Sequence, residues 1–149
     1  MAGVWQHMKK ALLVVNYESI GELKKYRKAL VESGLNIHEC SILAVVSSKA
    51  VKNAISEQNS VTFVMDKEIS FLGQLKNQEA KEKLARTYDL VFVVGDYSKK
   101  MMKIISRTKK TMGVSMNSKH AAQQLNLKTE SNSPEHLVNF AKETLQKIV

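Results

Sequence analysis

The chain has 149 residues, is 44% hydrophobic and 25% charged, and carries a formal charge of +9 at pH 7. Those figures fit one ordinary domain and exclude collagen-like, low-complexity and intrinsically disordered classes. Apolar runs of five residues, such as 11–15 and 90–94, are too short to span a membrane, and the single cysteine, Cys40, allows no internal disulfide, which suits the cytoplasm.

Residues 1–8 read as an extension ahead of a single domain at 9–149, with no signal-peptide pattern. The first apolar run, 11–15, is continuous rather than alternating, and so are 42–46, 61–65 and 90–94. Parallel strands read this way when helices cover both faces of the sheet. After the first run, Ser19-Ile20-Gly21-Glu22 is a capping box opening a helix. Its apolar face is Ile20, Leu23, Tyr26, Leu30 and Val31, and Gly34 ends it. A shorter helix is expected over 49–57, burying Val51, Ala54 and Ile55. Beyond the third run, 66–76 is a loop whose Ile69, Phe71 and Leu72 fold back on the domain. A polar helix over 77–86 turns Ala80 and Leu84 inward, and another begins at Ser98 and buries Met101, Ile104 and Ile105. Weaker strands follow at 112–116 and 125–127. The last helix has Ser133 as its cap and Pro134 in its first turn, with the stripe Leu137, Phe140, Ala141, Leu145, Ile148. This alternation predicts a three-layer αβα, Rossmann-like domain with a mostly parallel sheet of five or six strands.

The segment 87–116 opens a strand with Tyr88-Asp89-Leu90, continues through a helix and basic residues, and closes on a Met112-Gly113 strand. Lys67-Glu68-Ile69-Ser70-Phe71-Leu72-Gly73 looks like a Lys-Asp-Ile-Ser-aromatic-x-Gly loop. With the closing Leu-x-Leu strand and terminal helix, this layout resembles an uncharacterised domain-of-unknown-function family of Bacteroidetes bacteria, over residues 9 to 149. More distantly, 87–116 is similar to the N-terminal Rossmann-like half of heptosyltransferase-type glycosyltransferases. The chain departs from them at Val93-Val94-Gly95-Asp96, where they continue Ile-Asp-Leu with a glycine after it, and their nucleotide-sugar half has no counterpart here. That resemblance implies a fold and no catalytic residue.

In open α/β sheets ligands sit beyond the carboxyl ends of strands, where the strand order reverses. For the order 3-2-1-4-5-6 this lies between strands one and four. It nominates Asn16, Tyr17, Glu18 and Ser19 on one side and Gly95, Asp96, Tyr97, Ser98 and Lys99 on the other. Gly95 permits close backbone approach and Ser98 caps a helix whose first amides favour an anion. The same residues also make an ordinary turn and cap.

Residues 97–129 hold eight basic side chains and no acidic one. Lys99, Lys103 and Arg107 recur every four residues on one helix face, with Lys100, Lys109 and Lys110 beside them. An anionic partner such as nucleic acid fits this patch, and so does a solvated face. Only three of the 23 basic residues are arginine, and Tyr97 is the one aromatic near the patch, which suits phosphate and base recognition poorly.

His7, His38, His120 and His136 lack metal-ligand spacing, and Cys40 has no identifiable base. His38 and Cys40 are expected to alternate at the start of the second strand. Asp66, Glu68 and Asp96 follow strand ends, as acid–base carboxylates do, but so do many loop carboxylates. No catalytic residue, metal or cofactor is assigned. The sequence reads as a cytoplasmic, non-enzymatic binding module for an anionic small ligand or a protein partner. A partial glycosyltransferase-like or nucleotide-using enzyme is one alternative, and nucleic-acid binding through 97–128 is another.

Overall fold

The computed structural model of the chain describes residues 3–46, 61–70, 74–117, 123–131 and 133–148. Its strands are β1 (Ala11–Asn16), β2 (Ser41–Val46), β3 (Val61–Met65), β4 (Tyr88–Val94), β5 (Lys110–Met116) and β6 (Leu125–Leu127). They form one sheet in the order β3-β2-β1-β4-β5-β6, with every neighbouring pair parallel. Among the described residues the α-helices are α1 (Ile20–Glu32), α2 (Gln78–Ala85), α3 (Lys99–Ser106) and α4 (Pro134–Lys147).

The pleat of β1 explains why its apolar run is unbroken. Leu13 and Val15 point to a core shared with α1 and α4, which contains Tyr26, Leu30, Phe92, Leu137 and Leu145. Leu12 and Val14 point to the opposite core with α2 and α3, built from Leu43, Val64, Ala80, Val91, Met101 and Ile105. Each large aliphatic side chain fully buried in this way stabilises the fold by roughly 1.5–3 kcal/mol. The architecture is a three-layer, Rossmann-like α/β sandwich.

Local chemistry sets the helix boundaries. The side chains of Ser19, Asn77, Ser98 and Ser133 each accept an amide from the first turn of the helix they open, at 3.1, 3.1, 3.1 and 3.3 Å. The buried arc of α1 is Leu23, Tyr26, Ala29 and Leu30. Val31, expected on that face, is instead 49% exposed, because one more step of 100° carries it round to solvent. The helix expected over 49–57 lies outside the described residues, as do Phe71 and Leu72. Ile69 is buried under α2 and forms an antiparallel bridge with Leu75, so this loop does fold back.

Residues 5 and 8, set apart from the domain in the sequence reading, belong to its core. The 3-10 helix Gly3–His7 lays Trp5 against α4, and Trp5 and Met8 are both buried. His38 and Cys40 do not alternate on a strand. His38 is exposed in the 3-10 turn Ile37–Glu39, and Cys40 is buried just before β2. Burial pushes the Cys40 thiol pKa up, partly offset by a backbone hydrogen bond with Ala11.

Just ahead of β6, side-chain amides bond to the backbone of β4 and β5. Gln123 Nε2 donates to the carbonyls of Val91 and Val114 at 3.1 and 3.2 Å, and Gln124 Oε1 accepts the Gly113 amide at 2.6 Å. A Cβ at Gly113 would collide with the Gln123 side chain, so only glycine leaves the space that glutamine fills.

Candidate functional site

β1 and β4 are adjacent at the point where the order of strands across the parallel sheet reverses. α1 leaves β1 over one face and α3 leaves β4 over the other, so the chain diverges above the two strand ends. The Asn16 side-chain amide spans this divergence and donates to the Asp96 carbonyl at 3.2 Å. Gly95 sits beside it with φ +89°, and a Cβ there would lie 3.0 Å from Asn16 Nδ2. Conformation and space both demand glycine.

A cavity of about 430 Å³ opens at this point on the α1 and α4 side. Val15, Val94 and Leu137 supply its apolar floor, Asn16 ends β1, and Gly95 and Asn117 directly follow the adjacent strands β4 and β5. Asn117 adopts φ +58°. Its amide donates to Leu127 at 2.8 Å and its side-chain oxygen accepts the Thr129 amide at 2.8 Å, fixing β6 beside β5. The remaining wall is Glu18, Glu22 and Tyr26.

That wall is electrostatically unusual. Burial, then a hydrogen bond with Glu18 and its charge, push the Glu22 carboxyl up to about 7, against the opposing pull of Lys25. Burial, followed by the charges of Glu22 and Glu18, also holds Tyr26 as a neutral phenol. Tyr26 is 3% exposed, lines the cavity, and makes no hydrogen bond among the described residues.

A raised folded-state carboxyl pKa favours folding below the unfolded value of 4.5, and that gain is lost as pH rises through about 7. Glu22→Gln, which stays neutral, should therefore be more stable than wild type above neutral pH. Solvent screening of this partly exposed group limits the gain to about 1 kcal/mol. The difference should vanish near the acidic end. Urea melts across pH check the sign, and a variant less stable than wild type at alkaline pH refutes it.

The nominated residues divide between two places. Asn16 and Gly95 line the cavity, and Asp96 is exposed, with its carbonyl bound to Asn16. Tyr17 turns its ring edge-on to Phe63, with centroids 5.9 Å apart. Ser19 caps α1, while the Glu22 side chain pairs with Glu18 instead of closing the capping box. Tyr97, Ser98 and Lys99 follow α3 to the other side. The Tyr97 phenol donates to the Val94 carbonyl and its ring packs on the α3 core. Ser98 caps α3, and Lys99 is exposed in its first turn.

Lys100, Lys103, Arg107 and Lys109 are exposed along and after α3, whereas Lys110 is half-buried at the start of β5. Arg107 also borders a groove of about 350 Å³ between α2 and α3. Glu68 accepts the Met65 amide at 2.8 Å, a turn-closing role. Among the described residues no group of three His, Cys, Asp or Glu side chains is placed to hold a metal ion.

The Tyr-Asp-Leu segment has a structural explanation. Tyr88 donates its hydroxyl to the Lys83 carbonyl at the end of α2, at 2.7 Å. Asp89 Oδ2 accepts the amides of Lys9 and Lys10, both at 2.9 Å, and Leu90 is buried in the α1–α4 core. The family of unknown function DUF6913 matches the chain over residues 3–148. The chain belongs to this family. Among curated proteins, none matches it. The DUF6913 match begins at residue 3 and so takes in Trp5 and Met8 along with the six strands.

Sequence reasoning missed Glu22, Tyr26, Asn117 and Leu137 as cavity residues. Asn117 was accessible to the strand-end argument, because it directly follows β5. Tyr26 and Leu137 carried only a core signature, and Glu22 carried only a capping signature.

Proposed function

We propose that this domain binds a small ligand in the cleft above β1 and β4. The observation that carries the reading is the cavity itself. It joins an apolar floor to the polar groups of Asn16, Glu18, Glu22 and Asn117 where open α/β sheets place their ligands. An anion meets two carboxyl groups here, which oppose it, so the anionic ligand expected from sequence fits this wall less well than a neutral polar or cationic group. Among the described residues no constellation of nucleophile, base and oxyanion donors accompanies the cleft, which favours binding over catalysis.

Chemical-shift mapping of the full chain against a fragment library that includes nucleotides and nucleotide sugars tests this. The expected result is perturbation of Val15, Asn16, Val94, Gly95 and Asn117. Hits confined to other surfaces, or none, reject the cleft. Turnover of a nucleotide sugar would support the glycosyltransferase-like alternative instead.

A second reading rests on α3, whose Lys99, Lys103 and Arg107 are exposed. An acidic protein or nucleic acid would meet a concentrated positive face there. Its binding should weaken steeply with salt. Salt-independent binding, or none at low ionic strength, removes that reading.

A further inference from the structure

We propose that the groove between α2 and α3, on the face of the sheet opposite the cleft, docks an acidic segment of a partner protein that inserts one large apolar side chain. The proposal is independent of the cleft ligand. It rests on α3 being a docking face, to which it adds the location and the chemistry of the partner.

The groove has a volume of about 350 Å³ and runs open between the two helices. Leu75 and Leu84, both buried in the α2–α3 core, and the half-buried Ile104 form its floor. Leu75 is held there by its antiparallel bridge to Ile69. Ala85, the last residue of α2, is exposed beside this floor and is too small to cover it.

Helix geometry places cations on both rims. On α2, Lys81 shares a face with Leu84 and Ala85, three and four positions on. On the opposite wall Lys100, Ile104 and Arg107 form one row at the same spacings. Lys81, Lys100 and Arg107 are exposed, and none has a carboxylate partner or a side-chain hydrogen bond among the described residues. No acidic side chain lines the groove among those residues either. The carboxylates of α2 are engaged elsewhere: Glu79 accepts the Thr62 hydroxyl at 3.1 Å, and Glu82 accepts a Gln78 amide at 3.4 Å.

Unpaired cations on either side of an apolar floor are complementary to a peptide that flanks an apolar anchor with carboxylates. The walls are set before any partner arrives. The Thr108 hydroxyl, just past α3, donates to the Leu84 carbonyl at 3.1 Å, and the Tyr88 hydroxyl donates to the Lys83 carbonyl at 2.7 Å. Walls held in place in this way reduce the ordering cost of docking. A peptide fits better than a small ligand, because small-ligand sites enclose roughly 70–90% of their ligand and this groove is open. Nucleic acid would find no aromatic side chain for its bases among the described lining residues, and its phosphates would leave the floor unused.

The test is chemical-shift titration of the full chain at low ionic strength with three probes. These are the end-capped peptide Glu-Asp-Glu-Leu-Glu-Asp-Glu, the same peptide with Ser in place of Leu, and a short oligothymidylate. The leucine peptide should shift Leu75, Ala85 and Ile104 as well as Arg107. The serine peptide should bind at least about tenfold more weakly, the factor that burial of a leucine side chain supplies. Lys81→Gln and Arg107→Gln should each weaken the leucine peptide about three- to tenfold, and Ala85→Glu, which adds bulk and negative charge to the groove, at least about tenfold. Lys24→Gln removes the same charge from the exposed face of α1, across the sheet, and should change affinity less than about twofold. All four positions are exposed, and unfolding midpoints check that each variant keeps its fold. Equal affinity of the two peptides, or shifts confined to the basic residues with Leu75, Leu84 and Ile104 unmoved, overturns the groove while leaving α3 as a face that attracts anions. Displacement of the leucine peptide by oligothymidylate, with shifts at the same floor residues, overturns it in favour of nucleic acid. Failure of all three probes to bind overturns the docking reading of α3 and this proposal together.

Discussion

Trp5→Ala should lower the unfolding free energy by about 3 kcal/mol, the cost of truncating a buried aromatic. Trp5 is 8% exposed, and its ring packs with Leu13, Leu30, Leu35, Phe92, Val138 and Ala141 around a cavity of only about 10 Å³. So tight a site cannot lose an indole without opening a void. The Lys142 ammonium, 6.0 Å from the ring centroid, adds a weak cation–π contact. Urea melts of wild type and variant should show a lower midpoint with little change in slope. A midpoint unchanged within error would mean that residues 1–8 are an appendage after all.

Asp89→Ala should cost about 3 kcal/mol as well, by a different route. One carboxylate oxygen receives the amides of Lys9 and Lys10, which pins the chain as it enters β1. Hydrogen bonds to a charged acceptor contribute roughly 1.5–3 kcal/mol each, and both are lost together. Asp89→Asn keeps an oxygen in place without the charge, so its loss should be about a third as large. Equal losses for the two variants would locate the effect in packing rather than in the carboxylate. Comparison of Trp5→Ala, Asp89→Ala and the double variant measures whether the two anchors of the N-terminal segment are coupled.

The sheet was legible because β1, β2, β3 and β4 are covered on both faces, which leaves near-continuous apolar runs, broken in β3 only by the buried Thr62, as buried parallel strands have. Helix starts were legible from Ser19, Ser98 and Ser133, whose side-chain oxygens accept the first amides that lack a backbone acceptor, whereas Asn77, read as the first helical residue, proves to be a cap of the same kind. The switch point followed from the topology, and the Asn16 bond to Asp96 places residues 80 positions apart side by side. What remained hidden was tertiary. A five-residue 3-10 helix has too few positions for a periodic signal, so Trp5 went unread. The face on which a helix leaves its strand decides whether Ser98 and Lys99 share a pocket with Asn16, and no local pattern encodes it. The direction of the Glu22 side chain, toward Ser19 or toward Glu18, is likewise settled only by what surrounds it.

The sole thiol of the chain lies immediately before β2, beside Ala11 of β1 in the α1–α4 core, with its proton held by burial. A small electrophile in solvent meets a sulfur that is both screened and weakly nucleophilic until the centre of the sheet parts. Cys40 is thus an intrinsic clock for native-state opening. Its labelling rate under mild conditions reports how often the molecule breathes, without any engineered probe.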